Sequence, residues 1–340
     1  MSSTGAERGR VATIFDVARL AGVSHQTVSR VLNDLPNVRP ATRERVEQAI
    51  GQLRYVPSHA ARALVTRRSR TIGLVATGLP DFGPSSIVLN FNEAARESGY
   101  AVITASLGPR DAGSLRSAAE MLIRQNVEAV VLLAADRASV DAFDETELGV
   151  PLITVASEQR GRGVRVSLDQ YQGACLAVRH LIDLGHRDIR HIAGPEGSMD
   201  AEQRLRGWRD SLANAGMTPP VAPRGDWSPE SGFRLGQALL ADGHPTAIFC
   251  SNDQMALGVL HAIEAAGLRV PHDVSVVGFD DIPEAAHFSP PLTTMNQDFI
   301  ALGRDAMAAV LSELQDDARV TSRDARVPHL VPRASSAAPR

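Results

Sequence analysis

From Thr71 onward the chain repeats one pattern: a short run rich in β-branched and apolar residues, then a segment of helical character. TIGLVAT, YAVITAS, EAVVLLA and PLITVAS form a first series, and DIRHIAG, AIFCSND and DVSVVGFD a second. Strands that are apolar throughout are buried on both faces, and the intervening helices supply the covering layers. The pattern therefore predicts an α/β body built on parallel sheets. Two series predict two lobes. No strand-to-helix turn carries G-x-G-x-x-G or a P-loop, so a dinucleotide or nucleotide enzyme is unsupported. H-E-x-x-H, paired-cysteine metal spacing and G-x-S-x-G are also missing, and no catalytic residue, metal or cofactor is expected. Cys175 and Cys250 match no disulfide or metal framework and read as small core residues.

Ahead of this body lies TIFDVARLAGVSHQTVSRVLN, from Thr13 to Asn33. Ile14, Val17, Ala18 and Ala21 recur at helical spacing until Gly22 interrupts them. Ser24 is suited to cap a second helix with Val28, Val31 and Leu32 on its inner face. Helices this short need a third partner, and Pro40 to Arg54 provides one, with Val46, Ile50 and Leu53 at i, i+4 and i+7. The arrangement predicts a helix-turn-helix unit whose second helix enters the DNA major groove. An ordinary helical hairpin shares this spacing. His25, Gln26, Ser29 and Arg30 on the outer face distinguish the two, because core packing has no use for them. Glutamine pairs with adenine and arginine with guanine, each worth about 1–3 kcal/mol of discrimination.

Charge separates the same two regions. Residues 1–70 carry 12 arginines against 5 acidic residues, a net charge of +7. Residues 71–340 carry 23 arginines against 34 acidic residues, a net charge of −11. A basic head on an acidic body fits phosphate contact at one end only. All 35 basic residues are arginine, which reads as genomic composition bias. The first 11 residues form a polar arm without the apolar run of a signal peptide, and no stretch reaches the roughly 18 apolar residues that span a bilayer. A cytoplasmic protein is expected.

GVSHQTVSRVLN, preceded by DVARLA, resembles the DNA-binding segment of the lac-repressor (LacI/GalR) family of bacterial transcription regulators. The resemblance extends to the body through LIDLGHRDIRHIAGP, RLRGW, SNDQMALG, DVSVVGFDD and PPLTTMNQDF. It implies an all-α helix-turn-helix head over residues 1–56, with Thr13, Ser24, His25, Gln26, Thr27, Ser29, Arg30 and Asn33 toward DNA. It implies a hinge helix and linker over 57–70, which pairs with its dimer mate and pushes a leucine into the minor groove. Ser58, Ala61 and Leu64 match that helix; a plain linker is the alternative. An alanine-rich helix of about two turns is too short to persist until something packs on it.

Residues 71–340 then form an effector-binding and dimerisation body like a periplasmic sugar-binding protein, with three crossovers between lobes. Lobe one is expected over about 71–167 and 297–324, and lobe two over about 168–296 and 325–336. In open α/β sheets ligands bind beyond the carboxyl ends of strands. Arg204 follows the DIRHIAG strand at the start of its helix, Asn252 closes AIFCSND, Asp280 closes DVSVVGFD, and Trp227 lies in GDWSPESGF. A sugar needs such groups for its hydroxyls and an aromatic face for its ring. By the resemblance these four, with Gln297 and Phe299, contact the effector. Asp253 reads as a helix cap, Asp281 is ambiguous beside Asp280, and Arg204 has Glu202 or Asp200 as alternative partners. Trp208 reads as core. One departure stands out: where sugar-binding relatives end a strand with aspartate, this chain has Ala156 and Ser157 after PLITV.

The expected function is a transcriptional regulator, a repressor, binding double-stranded operator DNA as a homodimer, with no membrane partner. A sugar between the lobes, such as a β-galactoside, β-glucoside or cello-oligosaccharide, would shift the lobes and change operator affinity. The chain after Leu330 is only VPRASSAAPR, without the leucine-heptad tail of some family members, which favours dimer over tetramer. Three alternatives compete: a sugar-binding module without regulation, a regulator answering a purine or another non-sugar, and a DNA-bending protein. A sugar-modifying enzyme would need an acid–base pair, whereas Arg204 with Asp280 is a hydroxyl clamp.

Overall fold

The computed structural model describes residues 12–32, 34–55, 68–77, 80–107, 112–144, 146–157, 164–243, 245–315 and 324–340. Asn33, Ser58, Ala61 and Leu64, and the arm over 1–11, lie outside the described residues. The chain divides into two units, residues 1–69 and 70–340.

Among its described residues the first unit holds three helices: α1 (Ile14–Ala21), α2 (His25–Leu32) and α3 (Pro40–Leu53). Thr13 caps α1 in a reciprocal box: the Asp16 amide donates to Thr13 Oγ1 at 3.4 Å, and the Thr13 amide donates to Asp16 Oδ2 at 3.0 Å. Gly22 ends α1 at φ +65°, and the Val23 amide turns back to the Ala18 carbonyl at 3.0 Å. Ser24 accepts the Thr27 amide at 3.2 Å and opens α2. Proline starts α3, where its missing N–H costs nothing. Val17, Val28 and Val46 are fully buried and meet at the centre, and Tyr55 closes the base of this small core.

The second unit begins with a parallel sheet in the order β2-β1-β3-β4-β5. Its strands are β1 (Thr71–Thr77), β2 (Ala101–Leu107), β3 (Ala129–Leu133), β4 (Leu152–Val155) and β5 (Val164–Val166). Helices α4 (Phe82–Glu97), α5 (Ala112–Arg124) and α6 (Arg137–Asp144) lie between these strands in sequence. Adjacent residues of β3 belong to different core clusters, Val131 to one and Val130 to the other, because a sheet covered on both faces sends successive side chains into opposite layers.

A second parallel sheet, β6-β7-β8, uses β6 (Ile189–Ile192), β7 (Ala247–Cys250) and β8 (Ser275–Val277). Helices α7 (Gln170–Asp183) and α8 (Met199–Asn214) cover one face, and α9 (Pro229–Ala241) and α10 (Asp253–Ala265) the other. Helices α9 and α10 touch backbone to backbone; a Cβ at Gly258 would lie 2.0 Å from the Pro229 carbonyl oxygen. Beside this sheet, β9 (Thr294–Asn296) pairs antiparallel with β10 (His329–Val331). Helix α11 (Phe299–Leu314) returns to the first sheet, where Leu302, Ala306 and Val310 join its core.

The chain thus passes between the sheets after β5, after β9, and between α11 and β10. The first and third passages pair side by side, with the Arg326 amide on the Ser167 carbonyl at 3.0 Å and the Asp169 amide on the Arg326 carbonyl at 2.8 Å. Beyond β10 the tail stays on the second sheet: the Val276 amide donates to the Ser335 carbonyl at 2.8 Å, and Ser335 Oγ donates back to the Val276 carbonyl at 2.6 Å. Trp208 is fully buried, its Nε1 donating to the Ile189 carbonyl at 3.3 Å. Cys250 is buried, while Cys175 is half-buried between α7 and α8, 3.6 Å from the Gly207 carbonyl.

Candidate functional site

In the first unit His25, Gln26 and Arg30 are exposed on α2, opposite its buried Val28 and Val31. The His25 ring rests against Phe15 of α1, with centroids 5.3 Å apart. Thr13, Ser24 and Thr27 hold the helix starts: Ser24 Oγ lies 3.0 Å from Thr27 Oγ1 as well as accepting its amide. Ser29 is half-buried. One helix therefore presents an imidazole, a carboxamide and a guanidinium to solvent, the chemistry that reads base edges in a major groove.

In the second unit the carboxyl ends of the strands open onto two adjoining cavities, which share Gly83, Pro84, Ala135 and Asp200. The first is polar, lined by Asp81, Asp200, Arg204, Trp227, Asn252 and Asp280. The second is mainly apolar, with Ile87, Val155, Ala156, Leu168, Phe299 and Leu302 in its wall beside Gln170 and Gln297. Five of the six residues expected from the sequence are thus brought around one cleft with their functional groups toward it or toward each other. The sixth, Asn252, is spent differently.

Arg204 sits in the second turn of α8 rather than at its start, and is buried. Its guanidinium lies over Phe279 at 3.9 Å and faces the Trp227 ring at 5.7 Å. Nε donates to Gln170 Oε1 at 2.9 Å, and Nη1 donates to the Ser251 carbonyl. Nη2 faces Asp280 Oδ1 at 3.5 Å and Asp200 Oδ2 at 3.9 Å. Glu202 takes no part, pairing with Arg224 at 2.7 Å.

Asp280 adopts φ +114°, a conformation that costs a non-glycine residue about 1–3 kcal/mol and recurs where a side chain must be aimed. Its Oδ1 accepts Gln297 Nε2 at 2.5 Å. Burial pushes its carboxyl up to about 7 against the opposing pull of Arg204 and the Gln297 bond, and Asp200 and Asp81 add to the rise. Asp81, at the cavity rim, is raised by partial burial and by Asp226. Trp227 packs over Gly194, where a Cβ would meet the ring at 2.2 Å. Phe299 opens α11 and meets Phe82 edge to face, with centroids 5.9 Å apart.

One expectation about an aspartate needs correction, and one ambiguity is resolved. The cap of α10 is Asn252, whose Oδ1 accepts the Met255 amide at 2.9 Å while Nδ2 donates to the Trp227 carbonyl at 3.0 Å and to Gln254. Asp253, read from sequence as the cap, is instead fully buried, accepting Thr294 Oγ1 at 2.5 Å and the Ile282 amide at 2.9 Å. Burial and the nearby Asp280 hold its carboxyl well above the usual range. Asp281 turns away from the cleft to Arg333 at 2.7 Å and to Asn296 at 2.9 Å.

Sequence reasoning missed Gln170, Phe82 and Asp81, and treated Asp200 only as a surface partner. A signal existed for the first two elements: VSLDQYQG and LPDFGPSS are both strand-to-helix turns, the place where α/β sheets present ligand groups. Among the described residues, no cluster of three or more His, Cys, Asp or Glu could hold a metal ion, and no helix is long and apolar enough to cross a membrane.

A helix-turn-helix unit joined to a two-sheet α/β body with a polar cleft defines a DNA-binding regulator controlled by a small molecule. The comparisons agree. Residues 13–58 match the model for bacterial regulatory proteins of the lacI family, and residues 178–336 match a periplasmic binding protein-like domain. The lactose operon repressor of Escherichia coli (strain K12) is 36% identical over 90% of this chain and 86% of its own length. The transcriptional repressor PurR of Vibrio parahaemolyticus is 33% identical over 90% of this chain and 93% of its own. Among solved structures, the lac repressor dimer bound to operator and the anti-inducer ONPF superposes with a TM-score of 0.89 at 34% identity, covering 97% of this chain and all of that one. The regulator CelR in complex with cellobiose superposes at 0.71 and 33% identity, covering 95% of this chain and 99% of that one. The chain belongs to the lacI family and is a DNA-binding transcriptional repressor of that family. Its relatives are regulators rather than enzymes.

Proposed function

We propose that the cleft takes a sugar, and that its binding changes the affinity of a homodimer for a pseudo-palindromic operator. The observation that carries the sugar is a surplus of acceptors: Asp81, Asp200 and Asp280 line the polar cavity together with the single guanidinium of Arg204. A pyranose brings many O–H donors to such a wall, and each ionised carboxylate accepts two or more. A purine brings few N–H donors and satisfies fewer of these acceptors; the cost falls on Asp280, the buried one of the three, at about 1–3 kcal/mol for an acceptor left unpaired. Trp227 supplies the face for the ring. The apolar cavity alongside, with Ala156 where a carboxylate would have stood, gives room for a second ring or an aglycone. A β-galactoside, β-glucoside or cello-oligosaccharide is therefore the preferred effector, with cellobiose first. The cellobiose complex of the similar regulator CelR supports this choice. The name of the PurR relatives supports the purine alternative, which the carboxylate wall disfavours.

In this reading Arg204, Asp280 and Trp227 contact the ligand directly, Gln297 and Phe299 border it, and Asn252 acts by holding the Trp227 loop. His25, Gln26 and Arg30 read bases, with Thr13, Ser24, Thr27, Ser29 and Asn33 on or near the backbone. Ser58, Ala61 and Leu64 belong to a hinge over 57–70 between the head at 1–56 and the body at 71–340. Calorimetry of the full chain with cellobiose, lactose, glucose, guanine and hypoxanthine tests the effector class. Binding by a disaccharide is expected. Binding by a purine and by no sugar removes the sugar reading and leaves the repressor standing.

A further inference from the structure

Four buried side chains from four separate stretches of chain close a ring beneath the cleft. Arg204 Nε donates to Gln170 Oε1 at 2.9 Å, and Gln170 Nε2 donates to Gln297 Oε1 at 2.7 Å. Gln297 Nε2 donates to Asp280 Oδ1 at 2.5 Å, and the same oxygen faces Arg204 Nη2 at 3.5 Å. None of the four is more than 6% exposed. The direction of every bond in the ring is forced. A guanidinium only donates, so Gln170 must offer it the carbonyl and turn its NH₂ to Gln297. Gln297 must then accept with its carbonyl and donate to the carboxylate. Flipping either amide would set donor against donor or acceptor against acceptor, so the chain has one arrangement.

The position of the two glutamines gives the ring a consequence. Gln170 is the first residue of α7, immediately after the chain's first passage between the sheets. Gln297 lies between β9 and α11, in the second passage. The Gln170–Gln297 bond therefore staples two of the three passages, and each glutamine also touches one member of the Arg204–Asp280 pair.

We propose that Gln170 is the positioning residue that couples the grip of Arg204 and Asp280 on the ligand to the passages between the lobes. It holds the guanidinium over Phe279 and links the Arg204 side of the pair to Gln297, beside the direct bond from Gln297 to Asp280. The inference rests on the reading that the effector occupies the cleft, and its test has one arm that needs no effector.

Two variants of the full chain separate the possibilities. Gln170→Leu keeps the volume and removes both bonds. Gln170→Glu keeps the acceptor for Arg204, loses the donor to Gln297 and adds a charge. The first arm follows tryptophan fluorescence against pH without ligand. Trp227 lines the same cavity as Asp280, whose carboxyl is faced by Arg204, Gln297, Asp200 and Asp81, with the buried Asp253 nearby. In Gln170→Leu the released guanidinium turns fully to Asp280, and the midpoint falls by about one pH unit, tenfold in the ionisation equilibrium. In Gln170→Glu the new carboxylate claims Arg204, and the midpoint rises by a similar amount. A residue that merely fills space changes the melting temperature and leaves the midpoint in place. The second arm measures cellobiose affinity by calorimetry, where a loss of about tenfold or more is expected in both variants. An unmoved midpoint in the variants that fold overturns the proposal, whatever cellobiose does. Should wild-type protein ignore cellobiose, the sugar reading fails while the midpoint still decides the role of Gln170. Should Gln170→Leu not fold, Gln170→Glu alone decides it.

Discussion

The amide of Met199, the first residue of α8 on the second sheet, donates to the carbonyl of Ala135, beyond β3 of the first sheet, at 3.2 Å. The Met199 side chain is 6% exposed and lies in the core cluster of the first sheet, with Ala134, Val140 and Ala156. Ser198 bridges to Asp136, and Ser157 Oγ bonds Asp200 at the same place. One helix start thus latches the two halves of the cleft one turn ahead of Arg204.

Removing that plug should loosen the latch. Met199→Ala leaves a cavity, and such truncations cost about 2–5 kcal/mol in a closed core. Here opening of the lobes relieves part of the loss, so the lower end, about 2 kcal/mol, is expected. Thermal unfolding should begin several degrees earlier, and small-angle scattering of the ligand-free protein should give a larger radius of gyration. An unaltered scattering profile with an unaltered melting curve would show that Met199 does not hold the lobes together.

Effector binding should strengthen as pH rises through 7. Asp280 titrates near 7 in the folded chain, well above an ordinary aspartate, because burial disfavours its charge. Only its ionised form accepts two ligand hydroxyls. Cellobiose affinity should therefore climb between pH 6 and 8, and binding near pH 7 should release protons, seen as a dependence of the binding heat on buffer. Stability runs the other way. The folded state holds the proton that the unfolded state loses, so this residue's contribution is fully present below about pH 4 and is lost as pH rises toward 7. Asp253, raised in the same sense, adds to the slope. A cellobiose affinity that stays flat from pH 6 to 8 would exclude Asp280 as a hydroxyl acceptor.

Base reading should fail at one position when Arg30 is shortened. Arg30 is exposed on α2, outside the miniature core, so Arg30→Ala leaves folding intact. The loss should be about 1–3 kcal/mol on the specific site and much less on random DNA. Competition binding at fixed salt measures the ratio. Equal losses on both DNAs would reassign Arg30 to phosphate contact, whose mark is a shallower salt dependence.

Much of this architecture was legible residue by residue. Seven apolar runs became seven parallel strands, and Val17, Val28 and Val46 met as their helical spacing predicted. The candidate site was legible by position: Arg204, Trp227, Asp280, Gln297 and Phe299 line the two cavities, near the strand ends where α/β folds gather polar groups. What misled was local chemistry with two uses. Asparagine and aspartate both cap helices, and adjacent Asn252 and Asp253 could exchange roles. Burial decided between them: Asp253 is held by Thr294, 41 residues away, which leaves Asn252 on the helix end.

By itself, then, the sequence determined the elements, their layer pattern, the basic head with its reading helix and the strand ends where ligand groups would gather. These depend on periodicity and turn chemistry within a few residues, which a linear chain displays. The tertiary structure alone decided which polar groups are free for a ligand and which hold one another. Gln170 and Gln297 are 127 residues apart, and Arg333 finds Asp281 across 52. Such bonds leave no local pattern, because a buried donor takes whichever acceptor the packed layers bring within about 3 Å.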